Sequence, residues 1–213
     1  PIRDAYRTAA QWKTFFVVLF GITAGQAVVF YTSQFYVQVF IEKTLKVPSA
    51  TTNLIVAGAI LLATPAFVLF GALSDRIGRK RVMLAGNLLA AVCWIPIYRA
   101  MSDLVDPLRP VALGALVFVQ VLFVAMTYGP IAAYLVEAFP AKVRYTSLSL
   151  PYHLGNGWFG GFTPLIAASL TASTGNRYAG LWYPIGITLM TVVVGGLFAR
   201  ETRNTSTWHE LDE

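Results

Sequence analysis

Gly71-Ala72-Leu73-Ser74-Asp75-Arg76-Ile77-Gly78-Arg79-Lys80-Arg81 is a short, strongly basic stretch set between two long apolar runs. With two glycines and one acid at fixed offsets among the cations, it reads as a tight polar turn more constrained than a generic loop. The chain around it is 56% hydrophobic and only 12% charged, with a mean hydropathy of +0.62. A soluble domain carries about a quarter charged residues, so the solvent implied here is lipid. Aromatic residues make up 14% of the chain. Trp12, Tyr98, Tyr145, Tyr178 and Trp182 sit near the ends of apolar runs, where amphipathic rings favour the headgroup layer.

A hydrocarbon core of about 30 Å takes roughly 20 helical residues to cross. Six segments meet that length: about 14–41, 51–73, 81–99, 111–138, 146–171 and 179–199, flanked by a segment 1–13 and a tail 200–213. The runs lack the period-two alternation of a membrane barrel, and backbone polar groups in lipid must be satisfied within their own segment. The expected fold is therefore all-α, a six-helix transmembrane bundle.

Lysine and arginine sort unequally between alternate connections. Arg3, Arg7, Lys13, Arg76, Arg79, Lys80, Arg81, Lys142, Arg144, Arg200 and Arg203 fall on one side; Lys43, Lys46, Arg99, Arg109 and Arg177 fall on the other. The positive-inside rule puts the first set and both termini in the cytoplasm. The net charge of +6 is thereby explained without a nucleic-acid partner. Cys93 is the only cysteine and lies in an apolar run, so an intrachain disulfide is excluded and a small buried filler is its expected role. Nothing in the pattern calls for a metal or a cofactor. The chain opens Pro1-Ile2-Arg3-Asp4 with no recognisable secretory signal and reads as a piece of something longer.

Prolines and glycines recur inside the spans: Pro65, Pro96, Pro130, Pro151, Pro164 and Pro184, with Gly157 and Gly161 forming a G-x-x-x-G pair. They suit helices that bend, and they equally suit tight packing of rigid ones.

The opening stretch resembles the signature of the major facilitator superfamily, G-x-L-x-D-R-x-G-R-K/R. Glu137-Ala138-Phe139-Pro140-Ala141-Lys142-Val143-Arg144 resembles the E-x-F-P-x-x-x-R element that follows the fourth span in many facilitators. Tyr128-Gly129-Pro130, Arg144-Tyr145-Thr146 and Arg200-Glu201-Thr202 resemble the C-terminal half of the metabolite:proton symporter branch, which carries organic acids, shikimate-like compounds and betaine or proline. The resemblance covers essentially the whole chain. It implies one half of a twelve-helix fold, built as a three-plus-three inverted repeat, with the substrate site between the halves. It further implies a bacterial inner-membrane, proton-coupled transporter of a small polar metabolite. Its partners are the bilayer, the substrate, H+ and an N-terminal six-helix half not contained in this sequence.

By the same resemblance, Asp75, Arg76, Arg79, Glu137 and Arg144, with Glu201, form a cytoplasmic charge network. Asp75 is expected to face a helix N-terminus in the other half, while Arg79, Glu137 and Arg144 pair within this one. A purely topological role would account for the arginines and Lys80, but not for Asp75, Glu137 or the glycines.

The fold places the first and fourth helices of each half on the central cavity. Gln26, Phe30, Ser33 and Val37 share one face of the first span at helical spacing, with Gln34 beside them and Tyr31 further round. Gln120 and Tyr128 on the fourth span, with Tyr152, Asn156 and Trp158 on the fifth, complete the cavity candidates. Aromatics such as Phe30, Tyr31, Tyr128 and Trp158 would make a cation-π cage for a betaine, or serve as packing. His153 is the ionisable residue placed inside a span: it is either a proton relay or a neutral histidine bonded to a neighbouring helix. No carboxylate lies mid-span, so the main proton acceptor is His153 or belongs to the absent half. Two other readings compete. One is a free-standing six-helix protein that self-associates as a scaffold or homodimeric transporter, which the upstream coding sequence would distinguish. The other is an intramembrane enzyme, disfavoured because His153 has no acid or second histidine beside it and Cys93 has no catalytic motif.

Overall fold

The computed structural model describes residues 6–203, apart from the Lys142 side chain. Arg3 and the tail beyond residue 203 lie outside the described residues.

Helix α1 (Ala9–Thr44) begins before the expected boundary at residue 14 because Thr8 caps it. The Thr8 hydroxyl accepts from Gln11 N (3.3 Å), and the Gln11 side chain accepts from Thr8 N (2.9 Å), which satisfies two of the amides left open at a helix start. The helix is not regular. Wider π turns occupy Leu19–Thr23, Thr32–Tyr36 and Phe40–Thr44. Each adds a residue to a turn and rotates the remainder of the helix by about 100° relative to a 3.6-residue repeat.

After α1 come α2 (Ser49–Ile77), α3 (Arg79–Ser102), α4 (Pro110–Ala138), α5 (Arg144–Leu154), α6 (Thr163–Thr174) and α7 (Ala179–Phe198). Among the described residues α1, α2, α3, α4 and α7 are the five helices long and apolar enough to cross a membrane. The expected span 146–171 is helical but divided. A π turn, Gly155–Gly160, continues α5, and bonds from Gly161 N to Asn156 O (2.8 Å) and Phe162 N to Trp158 O (3.3 Å) carry the ladder through a turn into α6. The cause is local: glycines crowd this stretch, and Pro164, in the first turn of α6, has no amide to give its preceding turn.

The signature stretch departs most from expectation. It is not a loop. At a rise of 1.5 Å per residue the 29 residues of α2 extend about 44 Å, well beyond a bilayer core, so Ser74–Ile77 form its projecting last turn. Only Gly78 separates α2 from α3. Its φ of +116° is a conformation that side chains rarely adopt, and an added Cβ would strike the Glu201 carboxylate.

The bundle packs α2 against α4, α3 against α4 and α7, and α1 against α7 and the Gly155–Gly160 turn. At Gly129 the α2 and α4 backbones nearly touch: a Cβ there would lie 2.8 Å from Phe67 O and 2.9 Å from Gly71 N. A large apolar core gathers Phe40, Trp94, Tyr98, Met101, Leu113 and Val121 among others, and a smaller one at the Arg79 end holds Val18, Ile22, Met83, Leu135 and Phe139. Leu54, Leu61, Leu62, Val68 and Leu69 of α2, by contrast, are 67–76% exposed. A contiguous apolar face of that kind belongs against lipid or further protein.

Candidate functional site

At the end of the bundle where α2 meets α3, one guanidinium ties three elements together. Arg79 Nε donates to both Glu137 oxygens (2.9 and 2.7 Å), and Arg79 Nη1 donates to Asp75 Oδ1 at 2.6 Å and Ser74 Oγ at 3.3 Å. The Arg79 and Glu137 side chains are 14% and 13% exposed, whereas Asp75 is 60% exposed. The pair to Glu137 is therefore poorly screened, and the pair to Asp75 is an open i,i+4 contact.

The chain leaving α7 closes the group. Thr202 Oγ1 donates to Glu137 Oε2 (2.7 Å), and Glu201 Oε1 accepts from Arg79 N (2.8 Å), Lys80 N (3.4 Å) and Thr202 N (3.1 Å). Glu201 thus caps α3 with a carboxylate at the positive end of its dipole. Lys80 Nζ reaches the other way, donating to Gly196 O and Ala199 O at 2.8 Å each, where α7 runs out of internal partners.

Of the expected charge network, the structure brings together Asp75, Arg79 and Glu137. Arg76 contributes its backbone carbonyl, which accepts from Arg203, and Arg144 Nε donates to Phe139 O (3.1 Å) in the adjoining turn. Asp75 bonds Arg79 within this chain and keeps most of its carboxylate exposed. The bonds of Ser74 to Arg79 and of Thr202 to Glu137 were not foreseen from sequence, although both residues stand in stretches that carry the resemblance: which partner a small hydroxyl meets has no signal until the fold is known.

A second group lies between α1, α4 and α5. Tyr128 OH donates to Asn156 Oδ1 (2.9 Å), and Asn156 Nδ2 donates to Tyr152 O (2.9 Å), which fixes the amide's orientation. The Phe30 ring lies 5.0 Å from Tyr128 and 5.4 Å from Tyr31, and Tyr31 stacks on Phe35 at 5.2 Å. Gln26 is wholly buried beside the Tyr128 hydroxyl.

The α1 π turn at Thr32–Tyr36 breaks the expected face after Phe30, leaving Gln34 half-buried and Ser33 fully buried. Two candidates lie apart from the cluster. Gln120 is buried with its Nε2 on Leu116 O (3.3 Å) and Met101 Sδ (3.8 Å), facing α3. Trp158 is 68% exposed and lies near Phe162. Tyr152 is half-buried beside His153 at 5.6 Å between rings, while His153 itself is exposed and lines a different, outer cavity. Among the described residues, no group of His, Cys, Asp and Glu is arranged to hold a metal.

The family profile described as Major Facilitator Superfamily matches residues 8–211. The chain is 34% identical over 194 residues to the alpha-ketoglutarate permease of Escherichia coli (strain K12), which covers 90% of this chain and 43% of that protein. It is 34% identical over 188 residues to the citrate-proton symporter of Klebsiella pneumoniae, covering 85% of this chain and 40% of that one. A protein described as a candidate proline/betaine transporter of Staphylococcus haemolyticus (strain JCSC1435) is 28% identical over 178 residues, 84% of this chain and 36% of its own. The chain thus spans about two fifths of the length of these curated relatives. No solved structure matches it.

Proposed function

The chain belongs to the major facilitator superfamily, and we propose that it forms the C-terminal six-helix half of a proton-coupled transporter that carries a small polar metabolite by alternating access. It acts as a multi-pass membrane protein and not as an enzyme. In this reading α5, the Gly155–Gly160 turn and α6 together make the fifth span and α7 the sixth, both termini lie in the cytoplasm, and a second half supplies the facing wall of the cavity.

The observation that carries the reading is the pairing of the two groups. At one end Arg79 gathers Asp75 and Glu137 under the cap of Glu201. Inside, Gln26, Phe30, Tyr128 and Asn156 offer amide, hydroxyl and aromatic surface without a fixed charge. The first group is a latch that favours one of two conformations, and the second is part of the substrate wall. Organic acids are the leading substrate class, from the two relatives named for alpha-ketoglutarate and citrate, and betaine or proline comes next. This half brings the neutral contacts; the cations that balance a carboxylate and the main proton acceptor come from the other half.

The test is uptake by the full-length protein in proteoliposomes against organic acids, betaines and amino acids, with and without an inward proton gradient. Gradient-driven accumulation of one class is expected. Asp75→Asn should slow it while expression stays close to wild type, and wild-type rates in that variant would remove the latch role.

A further inference from the structure

The glycines that bound the wide turn after α5 are both pressed against α1. A Cβ on Gly155 would lie 2.7 Å from Thr23 Oγ1, and one on Gly160 would lie 2.6 Å from the Tyr31 ring and 3.0 Å from Ala27 Cβ. In a regular α-helix, residues five apart point about 140° away from each other and would not share a face. The extra residue of the π turn swings the two glycines towards the same side, and α1 fills the space their missing side chains leave.

Hydroxyls from two helices hold the turn in place. The Thr23 hydroxyl of α1 donates to Pro151 O (3.0 Å). The Tyr183 hydroxyl of α7 donates to Phe159 O (3.0 Å), an oxygen that also accepts from Thr163 Oγ1 (2.8 Å) of the same segment. Tyr183 thus ties the backbone of the turn itself to α7. Asn156, the second residue of the turn, is fixed at three atoms. Its carbonyl accepts from Gly161 N (2.8 Å), the bond that makes the turn wide; its Nδ2 donates to Tyr152 O (2.9 Å); and its Oδ1 accepts from Tyr128 OH (2.9 Å). Were the turn to relax to 3.6 residues, the segments before and after it would rotate by about 100° relative to each other, and these three bonds could not all survive.

We propose that Tyr183 is a positioning residue for the substrate wall: its hydroxyl holds the Gly155–Gly160 turn wide and thereby keeps Asn156 on Tyr128. The proposal rests on the reading of Tyr128 and Asn156 as part of that wall.

Uptake by the full-length protein in proteoliposomes, paired with amide hydrogen exchange on the same preparations, tests it. Alpha-ketoglutarate, citrate, betaine and proline serve as probes, and KM is taken for the one that wild type carries best. Tyr183→Phe keeps the ring and removes the donor. Loss of one neutral hydrogen bond should make exchange across residues 155–163 about fivefold faster and leave α3 unchanged. KM should rise about two- to fivefold with Vmax within about twofold of wild type, because the productive turn becomes a smaller share of the population. Asn156→Ala should raise KM at least as much, and adding Tyr183→Phe to it should raise KM no further. Tyr178→Phe, which removes a hydroxyl bonded to Ser102 away from the turn, should change neither readout. Unchanged exchange in Tyr183→Phe, an unchanged KM in that variant beside a raised one in Asn156→Ala, or effects that multiply in the double variant would overturn the positioning role alone. A wild-type KM in Asn156→Ala, or no uptake of any probe by wild type, would remove the substrate-wall reading and the positioning role with it.

Discussion

Breaking the Arg79–Glu137 pair should destabilise the protein by an amount the geometry sets. The two side chains are about one-seventh exposed, and Arg79 Nε reaches both carboxylate oxygens within 2.9 Å. Removing one partner of a fully buried pair costs about 3–5 kcal/mol, and of an exposed pair about 0–1. Partial burial puts Glu137→Gln near ~2 kcal/mol, because the 60%-exposed Asp75 is then the one carboxylate bonded to the Arg79 guanidinium that the described contacts retain, and Thr202 loses a charged acceptor. Arg79→Gln should cost about as much, since it leaves Glu137 without its cation. The double variant should cost little more than either single one, a coupling of about 1–2 kcal/mol. Equilibrium unfolding of the full-length protein in mixed SDS and dodecylmaltoside micelles, followed by tryptophan fluorescence, measures all four corners of the cycle. If the two losses simply add, the guanidinium and carboxylate do not act as a pair, and the latch reasoning fails with them.

Gly78→Ala should lose about 1–2 kcal/mol from the positive φ alone, plus a share for pushing Glu201 off α3; in the same unfolding assay Glu201→Ala should relieve that second share, and strict additivity would refute the contact. Thr23→Val leaves the Pro151 carbonyl without the hydroxyl that bonds it at 3.0 Å in a fully buried position, so a loss of about 1 kcal/mol is expected, and an unchanged midpoint would show that the α1–α5 contact does not depend on it. Tyr128→Phe removes the donor to Asn156, and if that pair faces substrate, transport affinity should fall roughly tenfold while the melting temperature moves little; the reverse outcome would make the pair structural.

Five long apolar helices and the charge motif were legible because both are local: an apolar run of helical length, and a fixed spacing of acid, glycine and arginine. What escaped depends on contacts between distant segments. The π turn at Leu19–Thr23 places Thr23 on Pro151 and under Gly155, and no 3.6-residue pattern in α1 registers a partner more than a hundred residues away. The slip at Thr32–Tyr36 likewise turned Ser33 and Gln34 off the face that regular spacing had given them. Gln120 is different, because it was grouped with Tyr128 although eight residues of helix turn it about 80° away around α4, and it meets Met101 instead. Thr202 was marked in the sequence only as part of Arg200-Glu201-Thr202, and nothing there pointed to its bond with Glu137.

The one-residue break at Gly78 bears most directly on how this end can work. A flexible loop between α2 and α3 would let Asp75 and Arg79 move independently, and their contact would report little. Here Asp75 lies in the last turn of α2 and Arg79 in the first of α3, and the same guanidinium holds Glu137 near the end of α4. Three helix ends thus converge on one planar cation, with Glu201 and Thr202 binding the chain beyond α7 to them. Shifting any one helix along its axis by even a couple of ångströms must lengthen at least one of these bonds past hydrogen-bonding range, so the contacts break together and not gradually. Several contacts of about 0.3–2 kcal/mol each that fail together can bias a two-state equilibrium by a few kcal/mol, strong enough to hold one state and weak enough for a bound ligand to reverse.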